Sequence, residues 1–145
     1  MSEAGDARVN EAGVTPDTPY RVLVVDDQAG FRRAAARIVA QMPGFSLVGE
    51  ADTGEHGVTM ARVLHPDVVL MDFRLPGMNG AQATRAIVAA RPATVVVLVS
   101  ATPTAELPPE ARCCGATALA AKETLNANDL ASLCRVNLRG EPRPS

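Results

Sequence analysis

Short apolar runs alternate with stretches of helical spacing along most of this chain. Tyr20-Arg-Val-Leu-Val-Val25 is a near-continuous β-branched run, the pattern of a strand buried on both faces. Phe31, Ala35, Ile38 and Met42 then recur at helical spacing, and Pro43-Gly44 ends that segment. Phe45–Ala51 predicts a second strand. Thr53 opens a helix with Val58, Ala61 and Leu64 on one face, which stops before Pro66. Asp67–Asp72 predicts the third strand, Gly80–Ala90 the third helix, and Thr94–Ser100 the fourth strand. Pro103, Pro108 and Pro109 leave room for only a short helix, about 109–114. A weak strand, Ala118–Ala121, precedes a last helix over about 127–138, with Leu130, Leu133, Cys134 and Leu138 inward and Asn126 or Asn128 as cap.

Five strand–helix units of this length predict an α/β fold: a doubly wound parallel sheet with helices on both faces. Residues 1–19, rich in Gly, Asp, Glu, Pro and Thr, read as a flexible leader. Residues 20–138 form the domain, and 139–145 read as a frayed tail.

Composition narrows the function. The 145 residues suffice for one domain with a real core. With 47% hydrophobic residues but only 3% aromatics, Ala, Val and Leu must fill it. The formal net charge is -2 and no basic run occurs, which argues against direct nucleic-acid binding. No apolar run approaches membrane-spanning length and no signal-peptide core opens the chain, so a cytoplasmic location without membrane attachment is expected. Cys113, Cys114 and Cys134 contain no CxxC and read as small buried residues in a reducing compartment. His56 and His65 show no ligand spacing.

Four apolar runs end in polar groups: Asp26-Asp27, Asp72, Ser100 and Lys122. Right-handed crossovers bring the carboxyl ends of parallel strands to one edge, where such sheets place their sites. Three carboxylates packed together repel one another and call for a cation. Hard oxygen ligands of this kind suit Mg²⁺, which takes one or two carboxylates plus a substrate phosphate. Lys122 adds a positive charge, and Ser100 a hydroxyl that can bond a phosphate oxygen. Individually each has a plainer use: an Asp pair can cap the next helix, a lone Ser or Lys can be solvated, and Asp72 can serve a turn. Four such coincidences on one edge point to a site.

In order, Val-Val-Asp26-Asp27, Met71-Asp72-Phe-Arg-Leu-Pro-Gly-Met-Asn-Gly80, Val-Leu-Val-Ser100-Ala and Gly115-Ala-Thr-Ala-Leu-Ala-Ala-Lys122 resemble the receiver (CheY-like) domains of two-component response regulators. The resemblance covers about residues 20–138. With Gly49-Glu-Ala-Asp-Thr-Gly54 upstream, it is greatest to the subfamily carrying a LuxR/NarL-type helix-turn-helix output. It implies a flavodoxin-like (βα)5 fold with strand order 2-1-3-4-5. It further implies that Asp72 accepts a phosphoryl group from a sensor histidine kinase or phosphotransfer protein, with Ser100 and Lys122 stabilising the phosphoryl oxygens. Mg²⁺ would be held by Asp27, Asp72 and the backbone carbonyl of Arg74, with Asp26 assisting through water. Asp72 would need a low pKa as nucleophile. A homodimer stays open as an activated form, and no enzymatic activity is expected beyond self-catalysed phosphorylation and dephosphorylation of Asp72.

Some positions depart from the family pattern. Leu119 stands where relatives often carry a switching aromatic, Glu123 where many have Pro, and the prolines of 103–109 shorten the helix that usually shares the output face. Arg74 and Thr102 flank the expected path of a hydrolytic water, and modest screening by Arg74 is favoured. Competing functions are a pseudo-receiver binding partners without phosphorylation, an aspartyl-nucleophile phosphatase, and an FMN-binding flavodoxin-like protein. The phosphatase would want Asp-x-Asp after the first strand, and the flavoprotein a Ser/Thr-rich loop after Val25.

Overall fold

The five apolar runs assemble into one parallel sheet in the computed structural model, which describes residues 18–139. The strands are β1 (Tyr20–Val25), β2 (Phe45–Ala51), β3 (Val68–Asp72), β4 (Val95–Ser100) and β5 (Ala118–Ala121). Their order is β2-β1-β3-β4-β5 and every pairing is parallel. The flanking helices are α1 (Ala29–Ala40), α2 (Gly54–Leu64), α3 (Gly80–Ala90), α4 (Pro109–Arg112) and α5 (Ala127–Arg139). The expected topology is therefore observed. The leader, but for residues 18 and 19, and the tail beyond residue 139 lie outside the described residues; residue 139 itself is the last of α5.

Strands buried on both faces need apolar side chains pointing both ways, and alternate residues serve two separate cores. Leu23, Val25, Val69, Met71, Val96 and Leu98 face α2, α3 and α4. Val22, Val24, Val68, Leu70, Val95, Val97 and Val99 face α1 and α5. The helices meet these faces largely through small residues, among them Ala35, Ala61, Ala83, Ala111 and Ala131. Close helix–sheet approach thus replaces the missing aromatic bulk.

The predicted inward residues Phe31, Ala35, Ile38, Val58, Ala61, Leu130 and Cys134 all pack on these cores, and the closeness adds smaller residues deeper still. In α2 the fully buried positions are Gly54, Gly57 and Ala61, while Val58 and Leu64 are half-buried. A Cβ on Gly57 would lie 2.8 Å from Val25 Cγ2, so the helix rests on its glycine. In α1 Val39 is buried more deeply than Ile38. In α5 Leu130, Ala131 and Cys134 are buried, with Leu133 and Leu138 packed at the margin. Asn126 caps α5, its Oδ1 accepting from the Asp129 N–H at 2.8 Å. The proline-rich stretch is shorter still than expected, a 3-10 turn at Thr104–Glu106 followed by the one-turn α4. Cys113 is exposed, against the expectation of burial, whereas Cys114 and Cys134 are buried. Burial pushes the Cys134 thiol up to about 12, which keeps it protonated and unreactive. Among the described residues no helix is long and apolar enough to cross a membrane.

Gly57→Val tests the glycine contact, since two added methyl groups and a Cβ must displace fully buried Val25. Overpacking of this kind costs about 1–3 kcal/mol. The urea midpoint should fall accordingly despite valine's better helix propensity.

Candidate functional site

Each strand leaves the core at its carboxyl end, and there the backbone hands over its polar residues. β1 delivers Asp26 and Asp27, of which Asp26 is fully buried and Asp27 exposed. The Asp26 N–H donates to the Ala51 carbonyl at 3.0 Å, continuing the β1–β2 pairing past the strand end. Its Oδ1 accepts from the Gln28 N–H at 2.8 Å, so the helix-capping use of this Asp pair is partly realised by a local turn. β3 delivers Asp72, 4% exposed.

Asp26, Asp27 and Asp72 each present a carboxylate oxygen within 4.8 Å of the others. Lys122, just past β5, lies with Nζ 2.7 Å from Asp26 Oδ2 and 3.5 Å from Asp72 Oδ1. The same ammonium sits 4.7 Å from the centroid of the Phe31 ring, a cation–π contact from α1. Four of the six expected site residues are thus brought together. Ser100, fully buried, stands at the end of β4, and its Oγ accepts from the Thr102 N–H at 2.9 Å. Arg74 is exposed, and its guanidinium lies 5.4 Å from the centroid of the Phe73 ring.

The loop after Asp72 is tightly built. The Gly80 N–H donates to the Phe73 carbonyl at 2.9 Å, and a Cβ at Gly80 would run into the Asp72 carbonyl oxygen. Glycine is required there for α3 to begin against the strand end. Asn79 and Gln82 close a reciprocal capping box over the first turn of α3. Asn79 Nδ2 also donates to Glu110 Oε2 at 3.1 Å, linking this loop to α4.

In the metal-free site, burial outweighs Lys122 in setting the Asp72 pKa. Burial pushes it from the usual 3.8 up to about 6, and the Asp26 charge adds to the rise. Lys122 and a hydrogen bond from the Arg74 backbone pull it down but do not overcome desolvation. One lysine does not neutralise three carboxylates. Asp26 Oδ2 is buried without a hydrogen bond, its neighbour being the Lys122 ammonium. An all-oxygen, anionic donor set of this kind fits a hard divalent cation such as Mg²⁺.

Sequence reasoning missed the supporting residues. Phe31 counted only as a core position, and Arg32, whose Nη1 donates to the Asp26 carbonyl at 2.6 Å, was not singled out. A basic residue one turn into the helix after an acidic strand end was the available signal.

The family profile described as the response regulator receiver domain matches residues 22–134. Response regulator GacA of Pseudomonas viridiflava is 46% identical over 80 residues, covering 55% of this chain and 37% of that protein. A protein-glutamate methylesterase/protein-glutamine glutaminase of Anaeromyxobacter dehalogenans is 43% identical over 84 residues, covering 58% of this chain and 25% of its own. The aligned part is thus about a third or less of these relatives' length. Among solved structures, the signal receiver domain of the putative response regulator NarL from Mycobacterium tuberculosis superposes with a TM-score of 0.73. It shares 30% identity and covers 81% of this chain and 98% of that one.

The raised Asp72 pKa has a consequence for stability. The folded state holds a proton that the unfolded state loses above about 3.8, so stability is highest below that pH and falls as pH rises through about 6. Without divalent cations, Asp72→Asn should therefore be more stable than wild type at pH 7.5, by about 3 kcal/mol. The gap should close toward pH 4. Urea denaturation across that range checks both.

Proposed function

The chain belongs to the response regulator receiver domain family, and on that premise we propose that it is a phosphorylation switch with Asp72 as phosphoacceptor. The observation that carries the proposal is the convergence of Asp26, Asp27, Asp72 and Lys122 at one sheet edge. The donor is a sensor histidine kinase or a phosphotransfer protein bearing a phosphohistidine.

In the transfer, an Asp72 carboxylate oxygen attacks phosphorus in line, a new O–P bond forms, and the P–N bond to the donor imidazole breaks. The bond pair leaves with the imidazole. Phosphoryl transfer depends on positioning and on charge stabilisation more than on covalent chemistry by the protein. Lys122, already 3.5 Å from the attacking carboxylate, stabilises the negative charge on the transferring oxygens. Ser100 contributes its hydroxyl proton, since its oxygen lone pair is engaged by Thr102 while its O–H stays available to donate.

Asp27 and Asp72, with the Arg74 carbonyl and with Asp26 in support, would hold Mg²⁺. When bound, the cation neutralises carboxylate and phosphoryl charge and lowers the Asp72 pKa toward the ionised, nucleophilic form. Asp26 and Lys122, paired at 2.7 Å, keep the acidic pocket in shape around the nucleophile. Arg74, exposed and over the Phe73 ring two residues beyond Asp72, would give modest screening of the acyl phosphate from water.

The phosphorylated form shifts the population of the loops after Asp72 and Ser100 and passes the signal to an output domain or a separate partner, with a homodimer as one activated form. The receiver works in the cytoplasm and has no chemistry beyond forming and hydrolysing its own acyl phosphate.

Incubation with Mg²⁺ and a small acyl-phosphate donor should produce one phosphoryl adduct by intact mass spectrometry, labile to hydroxylamine. Asp72→Asn should give none, and Lys122→Ala should slow its formation by about 100-fold or more. A wild-type protein that stays unmodified and binds no Mg²⁺ would instead identify a phosphorylation-independent binding module. Steady phosphate release from many monoesters would identify a phosphatase.

A further inference from the structure

Arg32 makes a contact that its place in the second turn of α1 does not require. Its side chain is only 21% exposed, with Nη1 donating to the Asp26 carbonyl at 2.6 Å and Nε to Glu50 Oε1 at 3.2 Å. That carbonyl belongs to the peptide joining Asp26 to Asp27. The two residues differ in how they are held. Asp26 is anchored through its N–H to Ala51, its Oδ1 to Gln28 and its Oδ2 to Lys122. Asp27 is exposed, and among the described contacts none holds its carboxylate. The backbone that precedes Asp27 therefore decides where its side chain points.

We propose that Arg32 is a positioning residue of the carboxylate site: it fixes the Asp26–Asp27 peptide and so aims the Asp27 carboxylate for a divalent cation. The inference rests on the metal-site reading above. Glu50, on β2, braces the guanidinium from the other side, so β2 takes part in a site otherwise built from β1, β3 and β5. A planar fork bonding two acceptors at once is a task for which lysine is a poor substitute.

The sign of the effect separates this role from a charge effect. A guanidinium beside a cation site repels the cation, so if charge were its only influence, removing it would tighten binding. Loss of an outer partner that orients a metal ligand weakens binding, typically by 10–100-fold.

Titration of the full chain with Mg²⁺ by calorimetry, for wild type, Arg32→Gln and Arg32→Lys, provides the test. Both variants should bind about 10-fold more weakly. In the metal-free proteins, the ¹⁵N order parameter of the Asp27 amide should drop from the rigid range toward the flexible one. Arg32→Gln binding as tightly as wild type or more tightly, with an unchanged Asp27 amide, overturns the role of Arg32 alone. Arg32→Lys matching wild type in both readouts overturns it equally, and decides the matter if Arg32→Gln does not fold. A wild type that binds no Mg²⁺ overturns the metal-site reading itself, and this inference with it.

Discussion

The carboxyl edge of this sheet depends on the Lys122 ammonium, placed between two buried carboxylates. Asp26 is fully buried and Asp72 almost so, a combination that desolvation and mutual repulsion both oppose. Nζ at 2.7 Å from one and 3.5 Å from the other offsets part of that cost. Phe31 supports the lysine from the α1 side. Removing one partner of such a buried group typically costs about 3–5 kcal/mol. The short strand β5 is held by its pairing with β4, in register from Val97↔Ala118 to Ser100↔Ala121. That register brings Lys122 to the site. A weak strand thus carries the charge that offsets the buried carboxylates of the strong ones, while burial still lifts the Asp72 carboxyl to about 6.

The rest of the architecture serves the same edge by keeping it crowded but orderly. Gly80 lets α3 start directly against the Asp72 backbone, so the loop between them needs no slack. Gly57 lets α2 lie on Val25, immediately before the acidic pair. In both places the missing side chain is what brings a rigid element close to a functional one, and rigid support is what holds a site to useful precision. Alanine-rich helix faces extend the same principle over the whole sheet.

Much of this was legible in the sequence, for a physical reason. Strands buried on both faces must be unbroken apolar runs, so their ends are conspicuous, and parallel topology sends those ends to one edge. Asp26, Asp27, Asp72 and Lys122 could be grouped on that ground, and the ordered motifs added the family. Hydrophobic spacing found Val58 and Ala61 on the inward face of α2 but passed over Gly57, which lies deeper because approach distance outweighs side-chain area there. Counting charges along the sequence does not show desolvation, the larger effect on Asp72 at this depth when no cation is bound. Arg32 escaped notice because its role is a bond to a backbone carbonyl, and side-chain patterns do not register such bonds.

In the proposed phosphorylation switch, signal transmission would rely on backbone more than on side-chain rotation. Leu119 and the alanines of β5 provide no large ring to swing between a buried and an exposed position. Ser100 Oγ, by contrast, accepts directly from the Thr102 N–H. A hydroxyl that turns to donate to a new phosphoryl oxygen keeps that lone pair engaged, so its displacement pulls the Thr102 backbone with it. Pro103 follows at once and leads into the 3-10 turn at Thr104–Glu106, and proline's fixed φ limits how far a shift can dissipate locally. Arg112 ties the far end, donating to the Thr104 and Leu107 carbonyls at 2.7 and 3.1 Å. The same α4 is joined through Glu110 to Asn79, at the end of the loop that leaves Asp72. The loops that follow Asp72 and Ser100 are therefore both tied to one short helix.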